Sequence, residues 1–331
     1  MGSREALDPR FGELVPEGTV FEVLAEGFEW SEGPLWVPEA GFLLFSDVPT
    51  NAIYRWREGD GARAEVWLQP SGYTGEAERG GEPGSNGLLL DAGGDLVLCQ
   101  HGDRRVARLE RPEGASWDSP GSGFTTLADR FEDGRFNSPN DLVYDRAGRL
   151  YFTDPPYGLE GGTEDPGREL DFQGVYRLDP DGSVHLLSKD LSRPNGIALS
   201  PDERTLYVAN SDPESALWMA WPLDENGDVG EGRVFFDATS SVGEERPGLP
   251  DGMAVDGAGN LFATGPGGVW VFAPDAAHLG TLRLPQPASN CTFGEDGTSL
   301  FVTSDAFLVR ARLATRGLGY DPETESGSPE T

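Results

Sequence analysis

Apolar residues along this chain fall in short runs, each opened by one polar residue and closed by an acidic or glycine turn that leads into a second run. Residues 137–158, NSPNDLVYDRAGRLYFTDPPYG, show the unit: a turn, a short apolar strand, an Asp-Arg-Ala-Gly turn, a second strand and a proline-rich loop. The unit recurs. Its copies read Glu32-Gly-Pro-Leu-Trp, Asn86-Gly-Leu-Leu-Leu-Asp, Asn140-Asp-Leu-Val-Tyr-Asp, Asn195-Gly-Ile-Ala-Leu-Ser, Asp251-Gly-Met-Ala-Val-Asp and Asn290-Cys-Thr-Phe-Gly-Glu, at steps of 54, 54, 55, 56 and 39 residues. A period of a few tens of residues that carries several short strands indicates a propeller or solenoid. Six copies predict an all-β fold, a six-bladed β-propeller.

Four strands can be assigned to most repeats. The last repeat lacks a fourth, while residues 20–24, Val-Phe-Glu-Val-Leu, form a strand signal with no repeat of their own. Pairing the two closes the ring with the N-terminal strand and removes the exposed edge, which is how propellers protect their strands. The predicted organisation is therefore an irregular lead-in over 1–18, one propeller domain over 19–315 and a disordered polar tail over 316–331. Residues 159–172 read as a long loop at the second turn of the third blade.

Composition agrees with many tight turns: 46 glycines and 26 prolines in 331 residues. No apolar run reaches the length of a membrane helix, and residues 1–10 lack a signal-peptide core, so a soluble, cytoplasmic protein is expected. Cys99 and Cys291 fall in strands of different blades and are expected to be free buried thiols. The chain carries 57 acids against 25 bases, a net charge of −32, and Lys189 is its one lysine. The acids are spread along the sequence, which describes a solvated acidic surface of the kind suited to high salt. Such a balance excludes nucleic acid as a partner. A monomer or small homo-oligomer is expected.

Repetition also predicts a site. The first strand of a propeller blade lies nearest the axis, so Glu32, Asn86, Asn140, Asn195, Asp251 and Asn290 should face one axial point. The second strand runs back to the same rim, which adds an outer circle containing His101, Asp154 and Tyr157. Carboxylate and amide oxygens without clustered His or Cys suit a hard cation, with calcium the most tolerant of irregular geometry.

These residues also carry a resemblance. Ser31-Glu-Gly-Pro-Leu-Trp, Ser85-Asn-Gly-Leu, Arg135-Phe-Asn-Ser-Pro-Asn-Asp with Phe152-Thr-Asp-Pro-Pro-Tyr-Gly, Arg193-Pro-Asn-Gly and Leu249-Pro-Asp-Gly-Met-Ala-Val-Asp together resemble the gluconolactonase and regucalcin (senescence marker protein) family of six-bladed calcium-dependent lactonases. The likeness is nearest to bacterial gluconolactonases. It implies Glu32, Asn195 and Asp251 as metal ligands, with Asn140 binding metal or substrate, and Ca2+ as the ion, with Mg2+, Mn2+ and Zn2+ as alternatives. The implied activity is hydrolysis of a small-molecule sugar lactone. Asp251 is the candidate base, His101 a candidate proton-transfer partner, and Asn86, Asn140, Asp141, Asp154 and Tyr157 candidates for holding substrate. Regucalcin has an arginine two residues before the position of Asn140, contacting the sugar acid, where this chain has Ser138 with Arg135 nearby. The alternatives are phosphotriester hydrolysis of the diisopropylfluorophosphatase type at the same ion, and a non-catalytic metal-binding propeller.

Overall fold

The computed structural model describes residues 2–320 apart from Asp60, Ala62, Glu78 and Glu113. Six antiparallel sheets stand around an axis, each an inner strand followed outward by its sequence neighbours. The inner strands are Ser31–Val37, Ser85–Leu90, Leu142–Tyr144, Pro194–Leu199, Met253–Val255 and Asn290–Gly294. Each touches the inner strands of the two adjoining blades, and the last touches the first. The ring is closed in sequence as well: Phe21–Glu26 pairs with Phe307–Arg312 as the outer strand of the sixth blade, as the unpartnered apolar run predicts.

The second strands explain why the runs look uniformly apolar. Phe42–Asp47, Leu96–Gln100, Leu150–Asp154, Leu261–Gly265 and Ser299–Ser304 are buried at every position. Both faces of such a strand are covered by neighbouring blades, so no polar alternation survives. Outer strands such as Glu65–Leu68 and Arg233–Asp237 are partly in water, with charge at Glu65, Arg233 and Asp237. Between blades one and two, Leu35, Phe42 and Ile53 pack on Leu88, Leu96 and Leu98. Each such buried side chain contributes on the order of 1.5–3 kcal/mol. The tryptophans join these seams: Trp36 stacks on Phe301 at 5.7 Å, Trp67 on Trp117 at 5.9 Å, and Trp218 lies 5.6 Å from Trp270. Cys99 and Cys291 are buried and unbridged.

The lead-in is not irregular. Ser3–Ala6 pairs with His278–Arg283 and gives the fifth blade a fifth strand. One helical turn, Phe11–Leu14, then drops Phe11 and Val15 into the seam between the fifth and sixth blades. Four residues are too few to display a strand period, and their partner lies some 275 positions away, so only the folded chain reveals the pairing. At the other end, Gly317 bridges Asp256, the Leu318 amide donates to the Val255 carbonyl at 2.9 Å, and the Tyr320 hydroxyl donates to the Phe293 carbonyl at 3.2 Å. These residues of the expected tail are packed; 321–331 lie outside the described residues. No helix among the described residues is long and apolar enough to cross a membrane.

Candidate active site

A β-bulge sits just inside the rim of three blades, between Glu32 and Leu35, Ser85 and Leu88, and Pro194 and Ile197. Bulges re-aim side chains next to sites. The extra residue here is a glycine lying against the next inner strand: a Cβ on Gly33 or Gly196 would stand 2.1 Å from the carbonyl oxygen of Asn86 or Asp251. This close approach turns the preceding side chain, Glu32 or Asn195, toward the axis.

Backbone hydrogen bonds fix which residues are equivalent. The amides of Asn140, Asp251 and Ser289 donate to the carbonyls of Thr153, Thr264 and Thr303 at 2.8, 3.1 and 3.0 Å. Likewise Gly87 and Gly252 donate to the carbonyls of Asn140 and Ser289, both at 2.8 Å. The sixth member of the rim ring is therefore Ser289, and Asn290 falls one position deeper. Two polar residues in succession open that repeat, so apolar spacing alone places the ring one residue too far along.

The deeper ring consists of Gly33, Gly87, Asp141, Gly196, Gly252 and Asn290. Four glycines leave room for two side chains, which meet: Asn290 hydrogen-bonds the Asp141 carboxylate. Asp141 also accepts the amides of Leu142 at 2.9 Å and Ile197 at 3.3 Å, and Asn290 accepts the Cys291 amide at 2.8 Å. Burial still pushes the Asp141 carboxyl up to about 6. This pair stops the pore beneath the rim ring and faces the hollow at the opposite mouth, among Gly33, Val143 and Ala254. Asp141 is thus a pore plug and does not reach the substrate cavity proposed from the sequence.

Above the plug a cavity of about 450 Å³ opens at the rim. Glu32, Asn86, Asn195, Asp251 and Tyr157 line it. The second oxygen of Glu32 accepts its neighbour's amide at 3.2 Å, while Trp30 Nε1 donates to the first at 3.3 Å. Asn195 donates Nδ2 to Ser211 Oγ at 3.0 Å, which leaves its oxygen for the axis. Asn86 Oδ1 and Asp251 Oδ1 are buried with no hydrogen-bond partner among the described residues. Burial and then the Asp141 charge push the Glu32 carboxyl up to about 8, and burial with the charges of Glu32 and Asp141 holds Asp251 well above the usual carboxylate range. Tyr157 is likewise held protonated by burial and by the nearby Asp251 charge.

Orphaned oxygens beside two mutually repelling carboxyls fit a divalent cation, whose charge lets both ionise. Oxygen donors without His or Cys suit a hard ion. The described residues contain no group of three or more His, Cys, Asp or Glu that could hold a metal, so the set depends on amide oxygens from the asparagines.

The remaining sequence candidates lie behind this wall. His101 is fully buried; its Nε2 is 3.5 Å from Asn140 Nδ2 and its Nδ1 is 3.4 Å from Glu82 Oε2. An amide N–H can only donate, so Nε2 is the acceptor and the ring proton points toward Glu82. His101 thereby turns the Asn140 oxygen away from itself; it is not on the cavity wall. Asp154 is fully buried too, its carboxylate accepting the amides of Asn137 and Ser138, both at 2.8 Å, and Asn137 Nδ2 at 3.1 Å. It secures the loop before the ring residue and has no free face for a sugar. Ser138 is buried as well, donating to the Pro155 carbonyl at 2.6 Å. Asp47 plays Asp154's part in the first blade, accepting the amide of Trp30 at 3.0 Å.

The structure adds Trp30, Glu82, Arg193, Ser211 and Arg246 to the lining. Arg193 could have been found, since it directly precedes the Pro-Asn-Gly turn that opens the fourth repeat. Glu82 and Arg246 sit in loops without periodicity.

Residues 30–306 match the family model described as SMP-30/Gluconolactonase/LRE-like region. The chain belongs to this SMP-30/gluconolactonase family. It is 40% identical over 322 residues to a gluconolactonase of Zymomonas mobilis, a match covering 96% of this chain and 88% of that protein. A pentonolactonase of Haloferax volcanii is 29% identical, over 86% of this chain and 85% of its own. Among solved structures, a gluconolactonase of Xanthomonas campestris superimposes with a TM-score of 0.77 at 31% identity, covering 95% of each chain. Family membership agrees with the six blades.

Proposed function

We propose that this protein is a lactonase of the gluconolactonase type, opening a sugar lactone to its aldonic acid in the rim cavity. The observation that carries the reading is the pair of buried oxygens on Asn86 and Asp251, without a hydrogen-bond partner among the described residues, in a chain 40% identical to a gluconolactonase. Glu32, Asn140, Asn195 and Asp251 would hold a divalent cation, and oxygen-only donors favour calcium over zinc. When bound, the ion supplies polarisation of the ester carbonyl and counter-charge for the oxyanion.

The chain's own groups supply the rest. Asp251, with one oxygen unpartnered, takes a proton from water as that water's oxygen bonds to the carbonyl carbon. Cleavage of the acyl–oxygen bond then returns a proton to the ring oxygen, which leaves as the hydroxyl of the hydroxy acid. Tyr157, kept protonated, is a donor to a sugar oxygen at the wall, and Trp30 keeps Glu32 in place. His101 and Glu82 act at one remove by orienting Asn140.

The test is acid release from glucono-δ-lactone above its spontaneous hydrolysis, with metal-stripped protein and after restoring Ca2+, Mg2+, Mn2+ or Zn2+ singly. Loss on stripping and fullest recovery with Ca2+ are expected. Unchanged turnover after stripping would remove the ion from the mechanism, and no turnover with any ion would remove the lactonase reading.

A further inference from the structure

The loop that joins the fourth blade to the fifth runs from the short helical turn Thr239–Ser241 to Asp251 and forms one side of the cavity through Val242, Arg246 and Leu249. It has little internal structure: Gly243 and Arg246 form an isolated bridge, and the Pro247 carbonyl accepts the Gly267 amide at 2.8 Å. Ser211 donates Oγ to its Pro250 carbonyl, and a further restraint comes from the far end of the sequence. Both oxygens of Glu5 accept Arg246 Nη2, at 3.1 and 3.3 Å. Arg283 stands 3.6 Å from Glu5 Oε2 and donates Nη2 to the Glu245 carbonyl at 3.3 Å.

Glu5 belongs to Ser3–Ala6, the strand that no repeat of the propeller accounts for. The blade does not need that strand for closure, since its four repeat strands already form a sheet. What the strand adds is one carboxylate set between two arginines on the site side of the blade. The pairs are only partly exposed, with side-chain accessibilities of 33% for Arg246, 35% for Glu5 and 25% for Arg283. Partial burial and shared geometry make such a network worth more than a lone surface pair.

We propose that Glu5 is a positioning residue for the active site: the N-terminal strand is a strap that holds Arg246 and the cavity-facing loop in the substrate-binding arrangement. This rests on the lactonase reading for its kinetic consequence but not for its structural one. Arg246 presents donors to the hydroxyls or carboxylate of the bound sugar acid, and its guanidinium plane is set by Glu5 from behind.

Glu5→Gln, Glu5→Asp and a chain lacking residues 2–7 are compared with the full chain, each loaded with Ca2+. For Glu5→Gln, KM for glucono-δ-lactone should rise about fivefold with kcat within about twofold, and more in the truncated chain. Glu5→Asp, which keeps the charge, should recover part of the loss. Amide hydrogen exchange of residues 242–249 should quicken in Glu5→Gln while the inner strands stay protected, a readout independent of turnover. Unchanged KM in Glu5→Gln, or kcat falling with KM alongside faster exchange throughout the propeller, would overturn the proposal. Unchanged exchange in the loop would overturn it even if the full chain hydrolysed no lactone, a result that would separately reject the lactonase reading.

Discussion

Two rings, one residue apart along the same inner strands, differ in how their polar side chains are partnered. In the deeper ring Asp141 has a donor for each oxygen, from Leu142, Ile197 and Asn290. In the rim ring Asn86 and Asp251 each have a buried oxygen with no donor among the described residues. Residue type separates the rings only in part: the deeper one is mostly glycine, yet each contains a carboxylate and an amide. Partner inventory separates them. A buried carboxylate with a donor on each oxygen is a structural joint, whereas one with an oxygen left unpartnered is kept for something that arrives later.

The strongest way to break this comparison is Asp251→Asn. It preserves shape and removes the proton acceptor, so turnover should drop about 10²–10⁴-fold while the thermal midpoint holds. Retained turnover would place the chemistry elsewhere. Asp141→Ala should do the reverse. It strands the Leu142 and Ile197 amides and the Asn290 side chain in the pore, costing about 2 kcal/mol or more in urea unfolding. Lactone turnover per folded molecule should change far less than in Asp251→Asn. A stability loss below about 0.5 kcal/mol would mean that the plug is not a joint, because a stranded buried donor costs more than that.

The smallest effect sharpens the electrostatic side. Burial raises Asp141 to about 6 and Asp154 to about 7 from an ordinary 3.8. Folding then takes up protons, so the contribution is complete below the unfolded value and is lost as pH rises through 6 to 7. Metal-free protein in 1 M salt, where the Debye length is about 3 Å, should therefore show a urea midpoint that falls from pH 5 to pH 8. Groups held low by hydrogen bonds, such as Asp202, titrate beneath this window. A midpoint that rises across it would mean that local hydrogen bonds outweigh burial at these two carboxyls.

Asp154 also shows where motif reading overreaches. The sequence groups it with Tyr157 on one rim because both follow the same strand, and that much is right about position. Its carboxylate, however, is spent on the Asn137 and Ser138 amides, while Tyr157 three residues later faces the cavity. His101 errs in the same direction, one layer behind the wall. Sequence spacing reports how far along a strand a residue lies, not which of its atoms are already bonded.

What the sequence determined by itself was the architecture: six repeats, the order of blades, the closing N-terminal strand and five of the six rim residues. Hydrophobic periodicity carries that information because each blade must bury the same strands in the same way. The tertiary structure alone decided that Ser289 completes the rim, that Asp141 and Asn290 seal the pore, and that Glu5 reaches Arg246 across more than two hundred residues. These depend on hydrogen bonds between chain-distant partners, and a bond between two polar atoms leaves no period in either segment that contributes to it.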